Sequence, residues 1–120
     1  MAKKILVVDD EPVIVKMLST RLTANGYDVI QAHSGEEALK VMESNVPDLV
    51  VMDVTMPPPN GYQVCRTIKD DERFKLIPVL LLTAKTSESD KFWGMEAGAD
   101  VYMTKPYNSE DLLKKIQGLL

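Results

Sequence analysis

Ile5-Leu6-Val7-Val8-Asp9-Asp10-Glu11-Pro12 sets four apolar residues, the paired carboxylates Asp9 and Asp10, a third acid and a proline in one unbroken run. The pattern returns along the chain. Leu49-Val50-Val51-Met52 ends in Asp53, Val79-Leu80-Leu81-Leu82 ends in Thr83, and a weaker run ends at Lys105-Pro106. Short apolar runs bounded by turn signals read as strands buried on both faces of a parallel sheet. In an open parallel sheet, ligands bind outside the carboxyl ends of the strands. Three acids, a hydroxyl and an ammonium are therefore expected at one rim.

Helical patterns fill the intervals. Pro12 suits the first turn of a helix, where its missing N–H costs nothing. Ile14, Met17, Leu18, Arg21 and Leu22 recur at helical spacing, with the Arg21 stem covering the stripe's edge, and Asn25-Gly26 stops the helix. A more polar strand over 27–32 follows. Ser34-Gly35-Glu36-Glu37 reads as a capping box ahead of Ala38, Leu39, Val41 and Met42. A third helix begins near Gly61 and buries Val64, Cys65 and Ile68. A further helix runs from Ser87 to Gly98, then a strand over 100–104. A last helix, capped by Asn108 or Ser109, carries Leu112, Leu113, Ile116 and Leu119 on one face.

Alternating strands and helices predict an α/β fold, one doubly wound (βα)5 domain spanning residues 1–120 with no output domain. The nearly all-apolar first, third and fourth strands suit the centre of the sheet, and the second and fifth its edges. Right-handed crossovers then favour a flavodoxin-like parallel sheet in the order 2-1-3-4-5, with helices on both faces. The switch point falls between Asp9-Asp10 and Asp53.

The 120 residues carry 14 Lys and Arg against 18 Asp and Glu, a net charge of −4. That balance disfavours direct binding of nucleic acid, which needs a basic face. One cysteine, Cys65, allows no internal disulfide and fits a reducing compartment. Met1-Ala2-Lys3-Lys4 runs straight into the first strand, without the pattern of a signal peptide. No apolar stretch approaches the roughly 20 residues that span a membrane. The expectation is a cytoplasmic protein with no membrane partner.

Clustered carboxylates repel one another, and burial raises their pKa values. A hard divalent cation removes that conflict, and Mg²⁺ retains sites for water and a substrate phosphate. Asp53 then remains as a nucleophile able to form an acyl phosphate. Lys105 supplies positive charge for phosphate oxygens, Thr83 a hydroxyl, and the small Ala84 leaves room beside them. Each acid alone also fits ordinary turn or cap chemistry; their conjunction at the strand ends is what points to a site.

These motifs resemble the receiver domain of bacterial two-component response regulators. The matching stretches are the opening run from Ile5 to Pro12, Asp53-Val54-Thr55-Met56-Pro57 with Gly61, Thr83-Ala84, Ala97-Gly98-Ala99-Asp100, and Tyr102-Met103-Thr104-Lys105-Pro106. The resemblance implies that Asp53 accepts a phosphoryl group from a sensor histidine kinase or phosphotransfer protein. It implies Mg²⁺, replaceable by Mn²⁺, held by Asp10, Asp53 and the Thr55 backbone carbonyl, with Asp9 acting through water. Thr83, Ala84 and Lys105 would receive the phosphoryl group, and Lys105-Pro106 would be cis. Thr83 and Tyr102 would form the switch, and Thr55 and Lys85 would tune hydrolysis. The output surface would be the helix starting at Ser87, the fifth strand and the last helix, with Trp93 as an anchor for a downstream partner or output domain.

Some positions depart from the family pattern. Pro57-Pro58-Pro59-Asn60 is stiffer than usual after the acceptor, since each proline fixes φ. Val101 stands where many DNA-binding relatives carry an Asp that bridges protomers, which weakens the case for their phosphorylation-dependent dimer without excluding another. His33 has no second imidazole or thiol near it in sequence and reads as a surface residue. A small aspartyl-phosphate hydrolase would want an acid where Thr55 stands. A flavin-binding domain would want a Ser/Thr/Gly-rich loop in place of Asp10-Glu11-Pro12. A phosphorylation-independent interaction module on the same fold remains the alternative.

Overall fold

Burial sorts the strands into a core and two edges. The computed structural model describes residues 2–84 and 96–120. Its strands are β1 (Lys4–Val8), β2 (Asp28–Ala32), β3 (Leu49–Asp53), β4 (Val79–Thr83) and β5 (Val101–Thr104), all parallel and ordered β2-β1-β3-β4-β5. Every residue of β3 and β4 is buried, whereas β5 is half-buried throughout. The helices among the described residues are α1 (Pro12–Ala24), α2 (Gly35–Ser44), α3 (Gly61–Asp70) and α4 (Ser109–Leu119). The expected helix from Ser87, with Lys85 and Trp93, lies outside the described residues, apart from its end at Gly98.

Alternate strand residues feed two cores, because successive side chains point to opposite faces. Leu6, Val8, Val50, Met52 and Leu81 pack with Ala38 and Met42 of α2 and with Val64, Cys65 and Ile68 of α3. Ile5, Val7, Leu49, Val51, Leu80 and Leu82 pack with Val15, Leu18 and Leu22 of α1 and Leu112 and Ile116 of α4. Helices on both faces follow directly, since each face of the sheet is apolar.

The buried stripe of α1 differs from the expected one. It consists of Val15, Leu18, Ser19 and Leu22, whereas Met17 is 48% exposed and Arg21 is exposed. The positions i, i+3, i+4 and i+7 form one face, but Ser19 hides it from an apolar pattern. The Ser19 hydroxyl accepts from Gln31 Nε2 of β2 at 2.9 Å, which satisfies it in its buried position.

Capping also differs in detail. Ser34 Oγ accepts from the Glu37 amide at 3.0 Å, which is one half of the expected box. The reciprocal box forms at α3, where Asn60 Oδ1 accepts from the Gln63 amide at 3.0 Å and Gln63 Oε1 from the Asn60 amide at 2.7 Å. Asn108 caps α4, accepting from the Glu110 amide at 2.7 Å.

Gly61 joins this cap to the end of β3. A Cβ there would lie 2.6 Å from the Asp53 carbonyl oxygen and 2.7 Å from Val54 Cα. The Gly61 amide donates to the Val54 carbonyl at 3.1 Å, as does the Met56 amide, while the Val54 amide donates to Leu82 at 2.8 Å. Backbone on both sides of the contact leaves little room to yield. Gly61→Ala is expected to cost about 2 kcal/mol, as overpacking typically does, and to displace Asp53. Denaturant unfolding measures it, and a cost below about 0.5 kcal/mol would mean that this contact relaxes freely.

Candidate functional site

The site occupies the switch point between β1 and β3, on the carboxyl rim. Asp9 and Asp10 follow β1, Asp53 closes β3, Thr83 closes β4, and Lys105 follows β5. Parallel pairing thus brings residues from opposite ends of the chain to one edge. One carboxylate oxygen from each of Asp9, Asp10 and Asp53 lies within 4.8 Å of the others. Asp9 and Asp53 are buried, at 3% and 6% exposure, while Asp10 opens to solvent.

Lys105 reaches into this cluster. Its Nζ donates to Asp53 Oδ1 at 2.6 Å, and its amide donates to the Thr83 carbonyl at 2.6 Å. Burial opposes the ammonium, but the hydrogen bond to Asp53 and the charges of Asp53 and Asp9 outweigh it, and its pKa stands above the ordinary value. The Lys105–Pro106 peptide is cis.

Asp9 is the strained member. Burial pushes its pKa up to about 6, with the nearby Asp53 charge adding, against the lowering effect of the Glu11 amide and Lys105. The Glu11 amide donates to Asp9 Oδ1 at 2.9 Å. Three acids against one ammonium leave a local excess of negative charge. A hard divalent cation suits such an oxygen-only donor set, and the exposed Asp10 leaves an approach from solvent. The residues present therefore fit Mg²⁺.

The remaining expected residues take distinct places. Thr83 is fully buried beside the site, Ala84 is exposed, and Thr55 is exposed in the loop after Asp53. In that loop the Pro58–Pro59 peptide is also cis, and Met56 is buried in the core on the α3 side. Tyr102 is the second residue of β5, in register with Leu81, and its half-buried ring packs on the same core. Its hydroxyl shares a 3.1 Å hydrogen bond with the hydroxyl of Tyr62, in the first turn of α3. Tyr62 was not among the expected site residues; its only mark in the sequence is an aromatic side chain after Gly61. His33 is exposed, 3.8 Å from Glu37. Cys65 is buried, its Sγ donates to the Ala97 carbonyl at 3.3 Å, and burial pushes its thiol up to about 11.

The family described as "Response regulator receiver domain" matches residues 5–117, nearly the whole chain. The chain belongs to the response regulator receiver family. The receiver is 48% identical over 120 residues to the alkaline phosphatase synthesis transcriptional regulatory protein PhoP of Bacillus subtilis (strain 168), a match that covers all of this chain and 49% of that protein. The receiver spans about half the length of the curated relatives it matches. Among solved structures it superposes on the chemotaxis protein CheY4 of Vibrio cholerae with a TM-score of 0.93 at 36% identity, covering 100% of both chains. It superposes on the BeF3-activated receiver domain of DrrB with a TM-score of 0.87 at 37% identity, covering 99% of this chain and 97% of that one. Among the described residues, no helix of this receiver is long and apolar enough to cross a membrane.

Proposed function

We propose that this receiver is a phosphorylation-activated switch that takes a phosphoryl group onto Asp53 from the phosphohistidine of a sensor kinase or phosphotransfer protein in the cytoplasm. The observation that carries this is the contact of Lys105 Nζ with Asp53 Oδ1 inside a three-carboxylate cluster. It joins a buried nucleophile to a fixed cation at one opening to solvent. The Asp53 carboxylate forms the new P–O bond, the P–N bond to the donor imidazole breaks, and the imidazole leaves with a proton. Lys105 turns from Asp53 toward the phosphoryl oxygens, and Thr83 supplies its hydroxyl to another. Asp10, Asp53 and the Thr55 carbonyl would hold Mg²⁺, with Asp9 acting through water. When bound, the ion neutralises charge on the transferring group.

Phosphorylation adds charge that a moved Thr83 and Lys105 satisfy better than the arrangement seen here, and only such a difference in contact energy can shift a population. Tyr102 then follows Thr83, and the signal passes to β5, α4 and the segment between β4 and β5, where Trp93 is the proposed partner anchor. Thr55 and Lys85 set the phosphoryl lifetime. The receiver turns over no metabolite; its chemistry is its own phosphorylation and hydrolysis.

Incubation with a small acyl phosphate and Mg²⁺ tests the proposal. One phosphoryl group per chain, mapped by mass spectrometry to Asp53 and lost when Mg²⁺ is chelated, is the expected result. Label on another residue would move the acceptor, and no label under any condition would favour an interaction module that works unphosphorylated.

A further inference from the structure

The loop between β3 and α3 is tied at its ends and stiff between them. Its base is Val54, whose carbonyl accepts from both the Met56 and the Gly61 amides at 3.1 Å. The Thr55 carbonyl and the Met56 amide share one trans peptide plane, in which C=O and N–H point opposite ways. The Met56 bond therefore also fixes where the Thr55 carbonyl points. The buried Met56 side chain holds that end of the loop, and the reciprocal cap between Asn60 and Gln63 holds the other. Between them stand Pro57, Pro58 and Pro59, each with φ fixed and no amide to donate.

The proline run rests on α2. A Cβ on Gly35, the first residue of α2, would lie 2.5 Å from the Pro59 carbonyl oxygen, 3.0 Å from Pro59 Cγ and 2.6 Å from Val64 Cγ2. Gly35 and Val64 are buried, and Pro59 shares a shallow surface depression with Glu36, Leu39, Lys40 and Glu43 of α2. Only a residue without a Cβ lets the loop come this near to the helix. A push on Pro59 is not absorbed by turning φ at the three prolines. Asn60 and Gly61 are confined by the cap and by the Asp53 backbone. The displacement is therefore passed to the peptide between Thr55 and Met56, at the exposed Thr55.

We propose that Gly35 is a positioning residue for the metal site: it seats the Pro57-Pro58-Pro59 strut against α2, and the strut aims the Thr55 carbonyl. This rests on the proposed role of that carbonyl as an Mg²⁺ ligand. A ligand already held in place costs less to order when the ion binds. Mg²⁺ also demands near-ideal octahedral geometry, so a tilt of the Thr55–Met56 peptide is felt directly in affinity.

Mg²⁺ titrated into the whole chain and followed by backbone amide NMR tests this without any phosphoryl chemistry. Gly35→Ala is expected to weaken the Mg²⁺ midpoint about tenfold, the lower end of what losing a ligand-orienting group costs. Pro57→Gly with Pro58→Gly, both at exposed positions, softens the strut while Pro59 and Gly35 stay in place. That pair is expected to weaken the midpoint about three- to tenfold, by freeing the loop of the metal-free chain. Gly35→Ala added to the softened chain is expected to shift the midpoint less than about twofold further, because a soft loop does not transmit the push. Full additivity overturns the strut, since a push through Val64 and α3 would be the same in both chains. An unchanged midpoint in Gly35→Ala overturns the positioning role, and a lowered melting temperature beside it marks a merely structural glycine. Should Gly35→Ala fail to fold, the softened chain decides, and a wild-type midpoint there overturns the proposal. A wild-type chain that takes no Mg²⁺ overturns the metal reading and the strut with it, whereas binding with equal midpoints in every variant removes the strut alone.

Discussion

Asp53→Asn loses phosphoryl uptake from an acyl phosphate by at least about 10³-fold, the scale on which losing a nucleophile acts. The asparagine amide has nearly the shape of the carboxylate and fits the same buried end of β3, so the change is chemical rather than steric. It removes the anionic oxygen that must form the bond to phosphorus. It also deprives Lys105 of its 2.6 Å partner and leaves Asp9 and Asp10 as the remaining acids of the cluster. Mg²⁺ affinity is expected to fall as well, since affinity for a hard cation follows the charge of its oxygen ligands. Mass spectrometry after acyl phosphate treatment checks the first effect and a Mg²⁺ titration the second, with circular dichroism confirming that the variant folds. Stoichiometric label on the variant would show that Asp53 is not the acceptor.

Asp9→Asn is expected to stabilise the metal-free protein at neutral pH by about 2–3 kcal/mol. The carboxyl of Asp9 moves from an ordinary 3.8 to about 6 on folding, because burial penalises its charge. A displacement of that size corresponds to roughly 3 kcal/mol. The sign follows from which form the fold prefers. Neutral Asp9 is tolerated, so its full contribution to stability is present below about pH 3.8 and is lost as pH rises through about 6. Asparagine keeps an oxygen to accept from the Glu11 amide and carries no charge to bury. The stability of the variant minus that of the wild type should therefore grow from near zero in acid to its full value above about pH 7. Saturating Mg²⁺ should shrink the difference by stabilising the wild-type carboxylate. Denaturant unfolding across pH, with and without Mg²⁺, measures each part. A difference that is flat with pH, or of opposite sign, would remove the desolvated Asp9 from the account.

Most of the site was legible because its residues lie directly after the strands. A strand buried on both faces must be nearly all apolar, so Ile5-Leu6-Val7-Val8 and Leu49-Val50-Val51-Met52 announce themselves, and the polar residues that end them mark the rim. Polarity in β2 and β5 likewise announced the edges. The faces of α1 were less legible, because a buried Ser19 looks like solvent-facing sequence until Gln31 of β2 is seen to satisfy it. The full capping box at Asn60 and Gln63 was obscured by the prolines before it. Arg73, bridging Glu43 and Asp71 with its guanidinium 4.6 Å from the Phe74 ring centre, depends on where the end of α2 falls.

By itself the sequence determined the order of elements, the central and edge strands, and the chemical kinds of group at the sheet's rim. These are local properties, set by which residues a two-sided strand can hold and by what stands immediately after it. The tertiary structure alone decided that Asp9 is buried deeply enough to resist its charge, that Lys105 lies on Asp53, and that Tyr62 meets Tyr102 across 40 residues of chain. Desolvation and hydrogen bonding depend on distances between side chains, and those distances exist only once the sheet has brought the strand ends together.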